Sequence, residues 1–346
     1  MLKDSKIISF SLVGCGRIAK RHSDLLGNNI IKNAKLISVC DKIHSKAQKI
    51  SNQFSIPCYT DMDKMIIETN PDVIVVLTES GNHARHVIDL AKYKKHIIVE
   101  KPMALKVDDA MKMIDVCNSN NIRLFVVKQN RFNLPVIKLK EALDKNRFKK
   151  ITLATVRVRW SRTQDYYDMD AWRGTLALDG GVLSNQASHH IDLLDWIMGG
   201  TESVFSYAKT SLVNIEAEDT AVVVLKFKNG SLGIIEATTA TRPKDLEGSL
   251  SVLGEGGSVV IEGFAVNKIK TWEFVEKQKS DKQIMEKYSS NPPNVYGYGH
   301  EAFYNNVIEG LINHNEIIVD GLEGLRSVKI LNAIYDSINL KKEIFL

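Results

Sequence analysis

A lysine ends an apolar run in His96-Ile97-Ile98-Val99-Glu100-Lys101-Pro102, and the chain opens with Gly14-x-Gly16-x-x-Ala19. A glycine turn that follows a strand and opens a helix suits a dinucleotide. Gly14 permits the tight turn, Gly16 lets the backbone approach a pyrophosphate, and Ala19 keeps the helix close to the strand. Open parallel sheets bind ligands outside the carboxyl ends of their strands, so Lys101 would face the place where a cofactor meets its substrate. Together these residues point to nicotinamide chemistry. Arg17 and Ile18 share the glycine turn, and Glu100 precedes the lysine; all three are candidate cofactor contacts. Asp41, ending the second strand, would bond the adenosine ribose hydroxyls and repel a 2′-phosphate. That favours NAD over NADP, although Lys42 and His44 stand nearby. Thr78, Asn82 and His83 lie in a polar loop at the same edge, where helix capping or packing is the alternative reading.

The densest polar stretch is Asp179-Gly180-Gly181-Val182-Leu183-Ser184-Asn185-Gln186-Ala187-Ser188-His189-His190-Ile191-Asp192. Apolar residues continue from Leu183 through Ile197, which predicts a helix on which Asn185, His189 and Asp192 fall at i, i+4 and i+7 and share one face. An imidazole there could take the proton of an alcohol as hydride leaves the same carbon, since its ordinary pKa of about 6.5 lies near neutrality. His190 points elsewhere and reads as structural. Trp172-Arg173 supplies an aromatic surface and a guanidinium suited to a carboxylate or phosphate, Arg131 adds positive charge to this half of the chain, and Gln129, Trp172 and Arg173 are also candidate cofactor contacts. Arg157, Arg159 and Arg162 add positive charge that hints at an anionic substrate, with a solvated strand face as the alternative for the first two.

These side chains need two kinds of scaffold. Buried runs at residues 7–13, 36–40, 72–77, 96–101 and 123–127 alternate with helix-like segments at 18–26, 46–54, 61–68, 83–93 and 107–118. This is the pattern of a doubly wound parallel sheet, a Rossmann domain over residues 1–128. After Gln129 the pattern changes to a helix at 136–143, a strand at 152–159 and strand-like runs at 220–227, 231–239, 248–253, 258–261 and 269–274. Hairpins imply an α+β domain over 129–346 with an open, mainly antiparallel sheet, closed by helices at 301–312 and 321–340. Residues 277–293 read as a mobile loop and 315–320 as a connector.

The 346 residues, 44% hydrophobic and 25% charged, are ordinary for a soluble globular protein. A net charge of +5 with scattered lysines argues against nucleic acid. Cys15, Cys40, Cys58 and Cys117 show no metal-ligand or disulfide spacing, and no His/Asp/Glu grouping suggests a metal. No run of roughly 18 apolar residues occurs and no signal peptide opens the chain, so a cytoplasmic protein without a membrane anchor is expected.

With these residues in hand, the chain resembles the glucose-fructose oxidoreductase, inositol dehydrogenase and MocA family over nearly its full length. The resemblance rests on Glu100-Lys101-Pro102 and on Gly180-Gly181 followed by His189 and Asp192. It implies that Lys101 and His189 handle the proton, that Asp192 orients a sugar, and that the open sheet forms a homodimer or homotetramer. Many members have Asp where this chain has Asn185; an amide cannot act as base, which moves the burden to His189 and Lys101. The stretches Lys128–Asn133, Trp172–Thr175, Asp179–Gly181, Asn185-Gln186 and Gly299–Glu301 look closest to the UDP-N-acetyl-2-amino-2-deoxyglucuronate 3-dehydrogenases. That likeness implies NAD-dependent oxidation of a C3 hydroxyl on a nucleotide sugar for surface polysaccharide, with 2-oxoglutarate as a candidate electron acceptor. Arg131 and Arg173 would hold the carboxylate or diphosphate. The alternatives are another nucleotide sugar, a free sugar or inositol, and, outside catalysis, an NAD-sensing regulatory protein.

Overall fold

The computed structural model describes residues 6–263, 265–288, 298–313 and 318–346. The chain divides into two compact units, 1–128 with 300–328, and 129–299 with 329–346.

In the first unit the order is β1 (Ile8–Val13), α1 (Ala19–Gly27), β2 (Ala34–Cys40), α2 (His44–Phe54), β3 (Cys58–Tyr59), α3 (Met62–Thr69), β4 (Val73–Val76), α4 (His83–Ala91), β5 (His96–Val99), α5 (Val107–Ser119) and β6 (Leu124–Val126). The strands form one parallel sheet in the order β3-β2-β1-β4-β5-β6. β4 is buried at every position and β5 at all but His96, because helices cover both faces of a parallel sheet and select continuous Val/Ile runs. The order reverses between β1 and β4, and ligands bind such sheets at that crevice. Edge strand β6 does not end in solvent: Val126 N–H donates to the Val319 carbonyl at 2.9 Å, and Arg123 Nη1 to the Gly310 carbonyl at 2.6 Å. Satisfying an open edge in this way recruits residues 300–328 into the first unit, whereas the sequence placed everything after 129 in the second.

The second unit contains α6 (Leu134–Asp144), β7 (Ile151–Arg159), α7 (Gln164–Asp168), α8 (Ser188–Ile197), β8 (Thr201–Lys209), β9 (Thr220–Phe227), β10 (Leu232–Thr238), β11 (Glu247–Gly254), β12 (Gly257–Glu262), β13 (Lys268–Phe274) and α9 (Asp281–Lys287). α10 (Gly299–Asn313) and α11 (Gly321–Leu340) follow, and β14 (Ile344–Phe345) ends the chain. The sheet runs β13-β12-β11-β7-β10-β9-β8-β14, antiparallel except where β7 and β10 pair in parallel. One face carries the core, where Ile191, Leu194 and Ile197 of α8 join Val156, Val158, Leu250 and Val252. β8 and β14 escape the sequence pattern. So does α9, which falls inside the expected mobile loop. It is anchored by Asp281, whose carboxylate takes Arg147 at 2.8 and 2.9 Å and Trp272 Nε1 at 2.9 Å. Burial pushes that carboxyl up, but the Arg147, Gln278 and Trp272 hydrogen bonds hold it at about 2. Residues 289–293 of the expected loop and 315–317 of the connector lie outside the described residues.

Candidate active site

The glycine turn is built for close approach. Gly14 has φ +98°, and a Cβ there would stand 2.7 Å from the Leu77 carbonyl oxygen, so no other residue fits without a shift. Above Gly16 nothing lies within 4 Å of where a Cβ would be. α1 opens next to it with no side-chain cap and no acid in its first turn, leaving its amides for an anion. Arg17 is exposed and Ile18 half-buried at this entrance. Asp41 uses its carboxylate to order the turn: Oδ2 accepts from Cys15 N–H and Oδ1 from Ile43 N–H, each at 2.8 Å. Carboxylate oxygens accept more than one bond, so capacity remains for ribose hydroxyls. Lys42, the cation that left room for a phosphate, stands 3.5 Å from Glu79. An open cradle, a bare helix start and an acid at the end of β2 fit NAD.

At the end of β4, Thr78 Oγ1 lies 2.9 Å from His86 Nδ1, and Asn82 Nδ2 donates to Glu79 at 3.1 Å. His83 is buried with Nδ1 2.8 Å from the Pro102 carbonyl and Nε2 2.9 Å from the Thr78 carbonyl. Burial lowers its pKa against the raising effect of those carbonyls. Its ring thus lies between the main chain that follows β4 and the main chain that follows β5. Lys101 is half-buried after β5, with its own N–H donated to Glu100 Oε2 at 2.9 Å.

In the second unit the expected helical face is corrected. α8 begins only at Ser188, so Asn185 sits in the preceding turn and not on one face with His189 and Asp192. The physical reason is local: Asn185 donates its side-chain amide to Asp179, whose other oxygen accepts from Gly174 N–H at 2.7 Å. An Asn that bonds a neighbouring loop favours turn over helix. Gly181 is also required here, because a Cβ would strike the Glu218 carboxylate. Glu218 in turn accepts from Leu183 N–H and the Tyr335 hydroxyl, both at 3.0 Å.

The single polar ring becomes separate pairs. His189 Nε2 lies 3.0 Å from Gln129 Nε2, and the Gln129 amide oxygen has no hydrogen-bond partner among the described residues. Asp192 is buried and takes Arg131 in a two-pronged pair, Nε to Oδ2 at 2.9 Å and Nη2 to Oδ1 at 2.7 Å, with the guanidinium 4.9 Å from the Trp196 ring centre. Arg131 is thus spent on Asp192. Arg173 reaches Asp170 at 3.1 Å and the Tyr166 hydroxyl at 2.8 Å, and lies 4.6 Å from both the Trp172 and Tyr166 ring centres. Arg157 and Arg159 face Glu236 and Glu247 across the sheet, and Arg162 pairs with Asp245. Those cations form a paired strand face, which removes their hint of an anionic ligand. Lys101 belongs to the first unit and His189 to the second.

The buried residues Asp179, Glu218, His22, His300 and Tyr304 were not among the expected site residues. Asp179 and His300 do lie in stretches that carried the resemblance, Asp179–Gly181 and Gly299–Glu301. Nothing local marks Glu218 or Tyr304.

Residues 8–128 match the domain described as oxidoreductase family, NAD-binding Rossmann fold, and residues 140–346 the oxidoreductase family C-terminal alpha/beta domain, both of the Gfo/Idh/MocA group. Over 234 residues the chain is 30% identical to the myo-inositol 2-dehydrogenase of Thermotoga maritima, spanning 65% of this chain and 66% of that enzyme. The WlbA dehydrogenase from Bordetella pertussis, solved with NADH and UDP-GlcNAcA, superposes with a TM-score of 0.92 at 40% identity, covering 100% of this chain and 99% of that one. The WlbA protein from Chromobacterium violaceum, solved with the same two ligands, gives 0.92 at 39%, covering 100% and 97%. Among the described residues no helix is long and apolar enough to cross a membrane.

Proposed function

The chain belongs to the Gfo/Idh/MocA oxidoreductase family, with an NAD-binding Rossmann domain, and on that premise we propose that it oxidises the C3 hydroxyl of UDP-GlcNAcA, a UDP-linked N-acetylamino uronic acid. The observation that carries the substrate is the full-length likeness, at 39–40% identity, to two WlbA dehydrogenases solved with NADH and that nucleotide sugar. NAD, once bound, supplies the hydride acceptor. The glycine turn and the start of α1 take its pyrophosphate, and Asp41 takes the adenosine ribose. Thr78, Asn82 and Glu79 order the crevice, with Arg17 and Ile18 at its entrance.

His189 accepts the hydroxyl proton as hydride leaves C3, and Lys101 holds the oxygen as an ammonium. A lysine gives up its proton at neutral pH only when desolvated or beside another cation, so the imidazole is the better base. Gln129 fixes the orientation of the His189 ring: with its amide turned, its otherwise unpartnered oxygen accepts from Nε2–H, which leaves Nδ1 unprotonated and able to take the proton. Asn185 binds a sugar hydroxyl. The Arg131–Asp192 pair is a rigid, neutralised floor, which leaves Arg173 to meet the carboxylate or diphosphate.

The exposed side chains Tyr207, Val222, Val224, Leu232 and Ile234 share one face of the second unit's sheet. An exposed sheet face that carries this apolar patch beside the Arg157–Glu236 and Arg159–Glu236 pairs supports a homodimer or homotetramer. A cytoplasmic site, a role in surface polysaccharide, and 2-oxoglutarate as the oxidant that restores NAD complete the reading.

The test is a spectrophotometric assay. With UDP-GlcNAcA and NAD, absorbance at the reduced-nicotinamide band rises, or turnover appears once 2-oxoglutarate is added. Neither response would remove this substrate. The 30% identity to a myo-inositol 2-dehydrogenase favours a polyol as the second reading, and a panel of inositols in the same assay separates the two.

A further inference from the structure

A cluster of buried polar side chains lies in the first unit beside the Lys101 main chain. His22 of α1, Glu100 after β5, and His300 and Tyr304 of α10 are all buried. His22 Nε2 stands 3.0 Å from Glu100 Oε1, and its Nδ1 2.6 Å from the Tyr304 hydroxyl. His300 Nε2 is 4.0 Å from the same carboxylate oxygen. The second oxygen, Oε2, accepts the Lys101 N–H at 2.9 Å. One carboxylate thus joins an imidazole on α1 to the main chain of Lys101.

The far side of Lys101 is tied as well, since the Pro102 carbonyl meets His83 Nδ1 at 2.8 Å. The main chain is therefore clamped before and after the lysine. A buried carboxylate is tolerated only when its charge is compensated, which gives His22 a definite task. Burial pushes the Glu100 carboxyl up, but the His22 hydrogen bond and the charges of His22, His300 and Lys101 hold it at about 2. Tyr304 and His83 also face that carboxylate through space. The Tyr304 phenol is pushed well above its usual range by burial and by Glu100, so it stays neutral; its hydroxyl stands against Nδ1 while Nε2 faces Glu100.

We propose that His22 is a positioning residue for Lys101: it holds the Glu100 carboxylate so that Oε2 pins the Lys101 amide and sets where the ammonium emerges. The proposal rests on the reading that Lys101 acts in the reaction. Small displacements of such a group are costly, because catalysis depends on placement within a fraction of an ångström. His22, Glu100 and His300 are also the group of potential metal ligands found among the described residues. Hydrogen-bond spacing at 3.0 Å, with both His22 nitrogens engaged, makes it a proton-linked network instead.

The test uses the full chain loaded with NAD, in His22→Ala, His22→Gln, Glu100→Gln and Lys101→Ala forms. It reads hydrogen exchange of the Lys101 amide alongside kcat and KM. In His22→Ala the amide exchanges about tenfold faster, and kcat falls about tenfold while KM changes little. Glu100 has a folded value below its unfolded one, so the hold is present above the unfolded range and lost as pH falls through the folded value. Removing His22 raises the folded value, so kcat of His22→Ala falls off at a less acidic pH than that of the wild type. His22→Gln, whose amide can reach Oε1, restores most of the protection and kcat. Glu100→Gln shows no acid limb. Unchanged exchange in His22→Ala, activity lost only in step with unfolding, or one equivalent of divalent metal bound by wild type would each overturn the proposal. If His22→Ala does not fold, the His22→Gln and Glu100→Gln comparison decides. Full turnover in Lys101→Ala would instead sink the catalytic reading, while the exchange result still decides the role of His22.

Discussion

The parallel sheet of the first unit is covered on both faces, whereas the sheet of the second has one covered face and one bare. β4 is buried at every residue, while β9 alternates between buried and exposed along its whole length. In the first sheet, side chains along the strands are walled in, so chemistry can emerge only where strands end. Gly14, Asp41, Thr78 and Lys101 all lie within two residues of a strand's last position. In the second, the candidate groups come from turns and from α8: His189 and Asp192 are held by partners 60 and 61 residues away, Asn185 and Arg173 by neighbours within 7. One unit organises its site by topology and the other by pairing.

This contrast can be broken most directly at the two proton-handling residues. Lys101→Ala and His189→Ala should each lower kcat/KM by about 10²–10⁴, the usual worth of a positioned acid or base, with the melting temperature unchanged. If one of them retains full turnover, its unit contributes binding alone. A somewhat smaller effect, on stability, belongs to the second unit. Arg131→Ala should cost about 3–5 kcal/mol in denaturant unfolding, because Asp192 is left as a buried unpaired charge. Replacing both partners by apolar residues should recover most of that loss, and a cost confined to activity would show that the pair is not structural.

Asp41→Ala sharpens the strand-end rule. NAD affinity in a titration should fall about tenfold, and the preference over NADP should shrink, since a carboxylate bound to the turn amides of Cys15 and Ile43 is lost. An unchanged preference would move cofactor selection elsewhere. The mildest intramolecular effect is expected on the bare face. Val224→Asp should change the stability of the subunit by only about 0.5 kcal/mol, as exposed positions do, yet lower the oligomeric state seen by light scattering. An assembly indifferent to that charge would rule this face out as the contact.

The first unit was largely legible because each of its signals is local. A continuous apolar run marks a strand buried on both faces, as in Val73–Val76. A glycine whose positive φ is forced by the Leu77 carbonyl marks the turn. The second unit was legible where alternation was strong, as in the β9–β10 hairpin, and illegible at β8, whose Ser and Thr positions blur the period. The helical ring of Asn185, His189 and Asp192 failed because an apolar run continues through a turn as easily as through a helix. Only the bond to Asp179 shows where α8 starts. The sequence could not decide between the two readings of Arg157 and Arg159 for a related reason: cation count carries no information about the acids that lie opposite.

By itself the sequence determined the strand–turn–helix order, the crevice edge and the identity of the groups able to accept a proton or meet a phosphate. Those follow from periodicity and residue chemistry, which act over a few positions. Tertiary structure alone decided which of those groups are engaged with one another. Arg131 found Asp192 across 61 residues, His22 found Glu100 across 78 and Tyr304 across 282. A buried charge must be matched by whichever partner the packed chain brings within about 3 Å, and that distance is a property of the closed fold and of no segment within it.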